Sequence, residues 1–321
     1  MSIDVNVTNK SGHPVAGLTA SDFTLLDNNQ PRKLVGLRVV DKQHPPADPV
    51  QVFIVLDAIN ADYLVVARER DGLAAFLKQN GGELPYPVTI AFFTETGTNL
   101  RDGPSQNGKV LLASLNSAQA RLRTLTRSAG VWGAGERLLQ SLDQFRDLAD
   151  YEANQPGRKL VLFVSPGWPM LSYAGRDVEM NERNWIFNTV VQLSNSLREA
   201  DISLYALDPF IPGNDDSFYY QSFLKGVTRA VQAQYPDLAL QVLAEHSGGQ
   251  VIVNGNDIKG EINTAIEDAS TYYTLTFDAA PASAGTDYHA LSLKIDRPGL
   301  RVRTTAGYYV QPGQASADQN R

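Results

Sequence analysis

The chain contains no cysteine, no apolar run near the length that crosses a bilayer and no block of basic residues. Each lack closes a class of function. Without cysteine there are no disulfides, zinc–thiolate sites, iron–sulfur clusters or thiol nucleophiles. That composition suits a secreted or bacterial envelope protein and equally a cytosolic one. A membrane helix needs about 20 predominantly apolar residues, so no membrane insertion is expected. Acidic residues (35) exceed basic ones (28), for a formal net charge of −7. Neutralising phosphate supplies most nucleic-acid affinity, so no nucleic acid is expected as a partner, nor an anionic lipid surface. The histidines His13, His44, His246 and His289 are scattered, with no pair at a helical metal spacing. No Gly-x-Ser-x-Gly elbow is present, which argues against an α/β-hydrolase triad.

What the chain does have is 43% apolar residues over 321 positions, enough for one large α/β domain and a smaller unit. Ile3, Val5 and Val7 alternate with polar residues, and strands are predicted again at Phe23–Leu26 and from Lys33 to Val40. Such an abrupt start reads as a chain from which a leader has been removed. The proline-rich stretch from Gln43 to Pro49 reads as a linker. From Val50 the pattern changes. Continuous apolar runs at Val52–Leu56, Val88–Phe93, Lys159–Val164, Ile202–Leu207 and Gln250–Val253 suit parallel strands buried on both faces. Helical stripes lie between them, Leu138, Leu142, Phe145 and Leu148 in one, Ile186, Val190, Leu193 and Leu197 in another. After Ser270 period-two alternation returns through Tyr273–Phe277, Leu291–Ile295 and Leu300–Thr304. The expected fold class is α/β: a doubly wound, mostly parallel sheet over residues 50–269, inserted between terminal β segments. Segments 1–42 and 270–310 combine into one small antiparallel module, because neither can bury its apolar face alone. Residues 311–321 read as a disordered tail.

Three stretches resemble the von Willebrand factor A (VWA) family. The Val52–Asp57 strand resembles its first strand, which ends in Asp-x-Ser-x-Ser. Lys159–Gly167 resembles its fourth strand and following loop, and Leu243–Val251, with Gly248-Gly249 at its centre, its helix, Gly-Gly turn and last strand. The segment Val15–Phe23, followed by Leu25-Leu26-Asp27, is similar to VWA-related proteins typical of acidobacteria. The resemblance spans roughly Val5 to Tyr309 and implies a secreted, periplasmic or cell-envelope protein.

It also implies a metal-ion-dependent adhesion site at the carboxyl edge of the sheet, where a hard divalent cation is held by oxygen ligands. Position by position the ligands are depleted. Asp57 stands in the first place, Ile59 and Ala61 replace the two serines, and Ser165 stands where a second Asp is expected. The stretch Gly130-Val131-Trp132-Gly133 offers no threonine. Asn60 and Asp208 are the available substitutes. The expectation is a degenerate site, with no cofactor and no tight Mg²⁺ or Ca²⁺ binding. Asp57, Asn60 and Asp208 would otherwise cap strand ends by hydrogen bonding.

The loops at that edge are rich in aromatics: Trp132, then Trp168, Met170 and Tyr173, then Phe218, Tyr219 and Tyr220. Such residues are enriched at interfaces, and these are the candidate contacts for a protein, peptide or glycan ligand. The alternative is that they pack beneath the loops. Gly103–Lys109 matches the first seven positions of a phosphate-binding loop, but Val110 replaces the hydroxyl that holds Mg²⁺, so it reads as a turn and a helix start. The function expected is a non-catalytic adhesion or scaffold module. The alternative is a hydrolase-type enzyme with an unrecognised site at the same edge, near Asp57 and Asp208.

Overall fold

The computed structural model describes residues 1–100, 103–118, 130–168, 179–207, 227–232, 236–252, 257–279 and 287–310. Four strands open the chain: β1 (Ser2–Thr8), β2 (Phe23–Asp27), β3 (Gln30–Arg32) and β4 (Leu34–Val40). Strands and helices then alternate through β5 (Gln51–Asp57), α1 (Tyr63–Lys78), β6 (Glu83–Thr94), β7 (Gly97–Leu100), β8 (Ser105–Asn107), α2 (Gly108–Ala118) and α3 (Gly130–Glu152). They continue through β9 (Lys159–Val164), α4 (Met180–Glu199), β10 (Ile202–Leu207), α5 (Pro236–His246), β11 (Gln250–Ile252) and α6 (Ile258–Glu267). Four strands close the chain: β12 (Tyr272–Phe277), β13 (Asp287–Ile295), β14 (Arg301–Thr304) and β15 (Gly307–Val310).

The central sheet runs β11-β10-β9-β5-β6 in parallel, with β7 and β8 antiparallel to β6. Its strands are apolar on both faces because helices cover both. Val52, Ile54 and Leu56 point to the side of α1, α2 and α6, while Phe53 and Val55 point to α3, α4 and α5. The fold is therefore α/β and doubly wound. Counting the parallel strands in chain order gives 2-1-3-4-5, so the order reverses between β5 and β9. Open α/β sheets take ligands at the carboxyl ends of the strands flanking such a switch point.

Both ends of the chain contribute to two antiparallel sheets, β14-β1-β12-β4 and β15-β13-β2-β3. β1 lies between β12 and β14, with Ile3 opposite Leu275 and Val7 opposite Val302. The two sheets enclose a core that includes Val5, Phe23, Leu25, Tyr273, Leu275 and Phe277. Alternation in each strand sends one set of side chains into this core and the other set outward.

Two arginines fasten the sandwich to the α/β layers. Arg158, just ahead of β9 and almost wholly buried, pairs with Asp4 of β1 at 3.1 Å, donates to Asn6 and lies over the Tyr272 ring at 4.3 Å. Arg303 of β14 donates to the Gly248 and Gly249 carbonyls at 3.0 Å and pairs with Asp268, which also accepts from the Tyr205 hydroxyl at 2.6 Å. The Gly-Gly turn has two different causes. Gly248 has φ +79°, and a Cβ on Gly249 would stand 1.8 Å from the Leu204 carbonyl oxygen. Among the described residues no helix is long and apolar enough to cross a membrane.

Candidate functional site

Asp57 is the last residue of β5 and Ser165 follows β9 directly, so the two flank the switch point. The chain leaves β5 in a tight turn because the carboxylate of Asp57 gathers the backbone that follows. Its Oδ1 accepts the N–H groups of Ile59 and Asn60, both at 3.0 Å. Its Oδ2 accepts from Asn60 Nδ2 at 2.8 Å and from the Ser165 hydroxyl at 2.7 Å. Asp62 then caps α1 by accepting the Val65 N–H at 2.9 Å.

The donors to Asp57 are themselves held in place. Asn60 Nδ2 also donates to Ser141 Oγ of α3 at 3.0 Å, and the Ser141 hydroxyl donates to the Arg137 carbonyl at 2.9 Å. Ser165 Oγ accepts the Gly167 N–H at 3.0 Å. Asp57 has no exposed surface. Burial pushes its carboxyl above the usual carboxylate range, against the hydrogen bonds from Ser165, Asn60 and Ile59 that lower it.

Of the positions that the sequence resemblance implies for a divalent cation, Asp57, Asn60 and Ser165 are engaged with one another. Four protein donors occupy the acceptor positions of the Asp57 carboxylate. Ile59 and Ala61 are fully buried apolar side chains, Ile59 within the core beneath α3 and α4. Among the described residues, no three His, Asp or Glu side chains gather as a metal-binding group. Among the described residues, Asn60 Oδ1 is buried without a hydrogen-bond partner.

The aromatic candidates divide. Trp168, expected at an exposed edge, is only 2% exposed and packs edge-on against Phe145 of α3 at 5.8 Å. The preceding Gly167 has φ +98°, a left-handed conformation that favours glycine. Trp132 stands in the first turn of α3 rather than in a loop. Met170, Tyr173, Asp208, Phe218, Tyr219 and Tyr220 lie outside the described residues. The phosphate-loop-like segment forms β8 and the start of α2, whose first turn is capped by Asn107 Oδ1 accepting the Lys109 N–H at 3.0 Å.

Other apolar side chains are exposed at this edge. Helices that follow parallel strands begin on the side of the sheet's carboxyl edge, so α1 after β5 and α4 after β9 both start on that side, one on each face of the sheet. Tyr63 and Leu64 open α1 at 57% and 77% exposure, and Met180 and Trp185 open α4 at 56% and 38%. The signal in the sequence was phase. Tyr63 and Leu64 fall outside the buried stripe of Val66, Leu73, Phe76 and Leu77, and Trp185 precedes the stripe that begins at Ile186.

No family model matches the chain, and none of the curated proteins matches it. Among solved structures it is similar to the human COPII-coat protein Sec24c, with a TM-score of 0.37 and 10% identity. The match covers 86% of this chain and 46% of that one, so the chain spans about half the length of that protein.

Proposed function

We propose that this is a VWA-like, non-catalytic binding or scaffold module that holds its partner without a metal ion. The observation that carries the reading is the Asp57 carboxylate, satisfied by four internal donors in the place where a cation would sit. Its role becomes that of a strut, tying the ends of β5 and β9 together so that the surrounding edge is rigid. Affinity then comes from apolar contact. Tyr63, Leu64, Met180 and Trp185 supply exposed rings and aliphatic chains at that edge, and truncating such anchors at an interface typically costs about 2 kcal/mol or more. The partner is a protein, peptide or glycan of the cell envelope or exterior.

The test is capture from a native envelope extract, in parallel with 5 mM-scale chelator or Mg²⁺ (on the order of normal buffer levels, which remove or saturate weak sites). The same partner should be retained under both conditions. It should be lost when Tyr63 and Leu64 are both changed to Ser, with the melting temperature unchanged. Calorimetric titration with Mg²⁺ or Ca²⁺ should show no one-to-one isotherm. Capture that needs the cation, or that survives loss of the exposed side chains, defeats the reading.

A further inference from the structure

At the opposite, amino-terminal edge of the parallel sheet lies a cleft of ≈ 1510 Å³, between that edge and the outward face of the sheet β14-β1-β12-β4. Its floor consists of two cross-strand rows. Ser2, Thr276 and Gly36 stand side by side in one, and Asp4, Thr274 and Arg38 in the next. The facing wall comes from the carboxyl ends of α3 and α4 and the turn at Asp201.

Two residues here are placed against stability. Gly36 sits inside β4, where glycine weakens a strand. Its φ is not left-handed, and a Cβ would meet Thr276 Cβ at an ordinary 3.4 Å. The ladder shifts register beside it, Thr276 pairing with Gly36 but Phe277 with Leu34, so the glycine stands next to a bulge at Val35. Glycine inside a strand marks a bulge or a place of close approach, and with the short side chains of Ser2, Thr274 and Thr276 this one leaves the floor flat. Asp201 follows the carboxyl end of α4, where the helix dipole disfavours a negative charge, and holds φ +56°. It is accessible from the cleft, and no hydrogen bond to its carboxylate is present among the described residues.

The chemistry of the lining specifies a ligand class. Asp4, Glu199 and Asp201 are balanced by Arg38, Arg198 and the Arg158 that backs Asp4, so no net charge is selected. The hydroxyls both donate and accept, the carboxylates accept and the guanidiniums donate. A ligand that meets all three is uncharged and carries many hydroxyls. The cleft exceeds the roughly 300–1,000 Å³ typical of small-molecule pockets, which leaves room for several sugar rings.

We propose that this cleft binds a neutral oligosaccharide, laid along the Gly36 floor, with the Asp201 carboxylate accepting from its hydroxyls. The described lining contains no aromatic ring, so hydrogen bonds must hold the ligand, and those net little against water. The expected dissociation constant is on the order of 1 mM.

The experiment is an amide-shift titration of the full chain with maltotetraose, cellotetraose and chitotetraose, and with tetra-alanine as the peptide probe. One of the tetrasaccharides should shift the amides of Gly36, Thr274, Thr276 and Asp201 and saturate. Asp201→Asn keeps a residue suited to the left-handed turn and removes the unfavourable charge. It should raise the melting temperature while weakening saccharide binding at least five-fold, a combination that a purely structural role would not give. Gly36→Val should abolish binding; should that variant fail to fold, Asp201→Asn alone decides. The proposal is overturned if no tetrasaccharide shifts these amides, if tetra-alanine shifts them instead, or if Asp201→Asn binds as the wild type does.

Discussion

His246 sits at the end of α5 with 2% exposure, between Ser194 of α4, whose hydroxyl lies 3.2 Å from Nδ1, and the rings of Tyr288 and Tyr309 at 5.2 and 5.1 Å. Burial holds its pKa down to about 3, from an ordinary 6.5. The groups facing it offer no compensation. The adjacent Glu245 is itself pushed up by burial, with Arg303 pulling against that, and the two tyrosines are raised far from neutrality. The imidazole is neutral in the fold and protonates in the unfolded chain below pH 6.5. Stability should therefore fall as pH drops from 6.5 towards 3, by up to about 1.4 kcal/mol per pH unit for this group. Denaturant unfolding of wild type and His246→Leu across that range should show a shallower slope in the variant; parallel curves would mean that the histidine is not the group responsible. Asp57 is the contrasting case at the same scale. Burial disfavours its charged form as well, but four donors oppose that effect where His246 has no such compensation.

At the scale of elements, the Gly248-Gly249 turn joins α5 to β11 and supports the Thr305 corner of the sandwich. Gly249→Ala would drive a methyl into the Leu204 carbonyl of β10, 1.8 Å away. The expected loss is about 3 kcal/mol or more, since main chain cannot move aside, and thermal unfolding measures it directly. A loss below 1 kcal/mol would show that β11 can shift away from β10 (an ordinary surface change costs about 0.5 kcal/mol or less). Elements with one dominant pattern were legible in the sequence. Lys159–Val164 and Ile202–Leu207 coincide with β9 and β10, because a strand buried on both faces is apolar throughout. β15 was not legible. Its adjacent Tyr308 and Tyr309 break alternation, yet both are buried, since Tyr308 faces the sandwich core and Tyr309 meets His246 and Phe187 on the other side. β6 begins at Glu83 rather than Val88 because Pro85 and Pro87 hid its first residues. The candidate site was legible at Asp57, Asn60 and Ser165, which strand ends position. Trp168 was not, since local composition does not reveal its packing against Phe145.

At the scale of the molecule, β1 and β2 have almost no partners of their own. β1 is held by β12 on one side and β14 on the other, and β2 by β13 and the short β3. Removing residues 272–310 should therefore strip amide protection from residues 2–40, read by hydrogen exchange; protected amides there would mean that the opening strands fold alone. The same pairing sets a timetable on the ribosome. Ile3 meets Leu275 and Val7 meets Val302, so β1 waits for partners made much later in the chain. At typical translation speeds that wait is on the order of tens of seconds. Throughout it Ile3, Val5, Phe23 and Leu25, core residues of the finished sandwich, are bare alternating strands, the kind of segment that associates edge to edge with a neighbouring nascent chain. Parallel β-α units of the central sheet close over shorter spans and can assemble as they emerge. Birth order and folding order are thus inverted for β1 and β2, which makes these strands a natural charge for a chaperone.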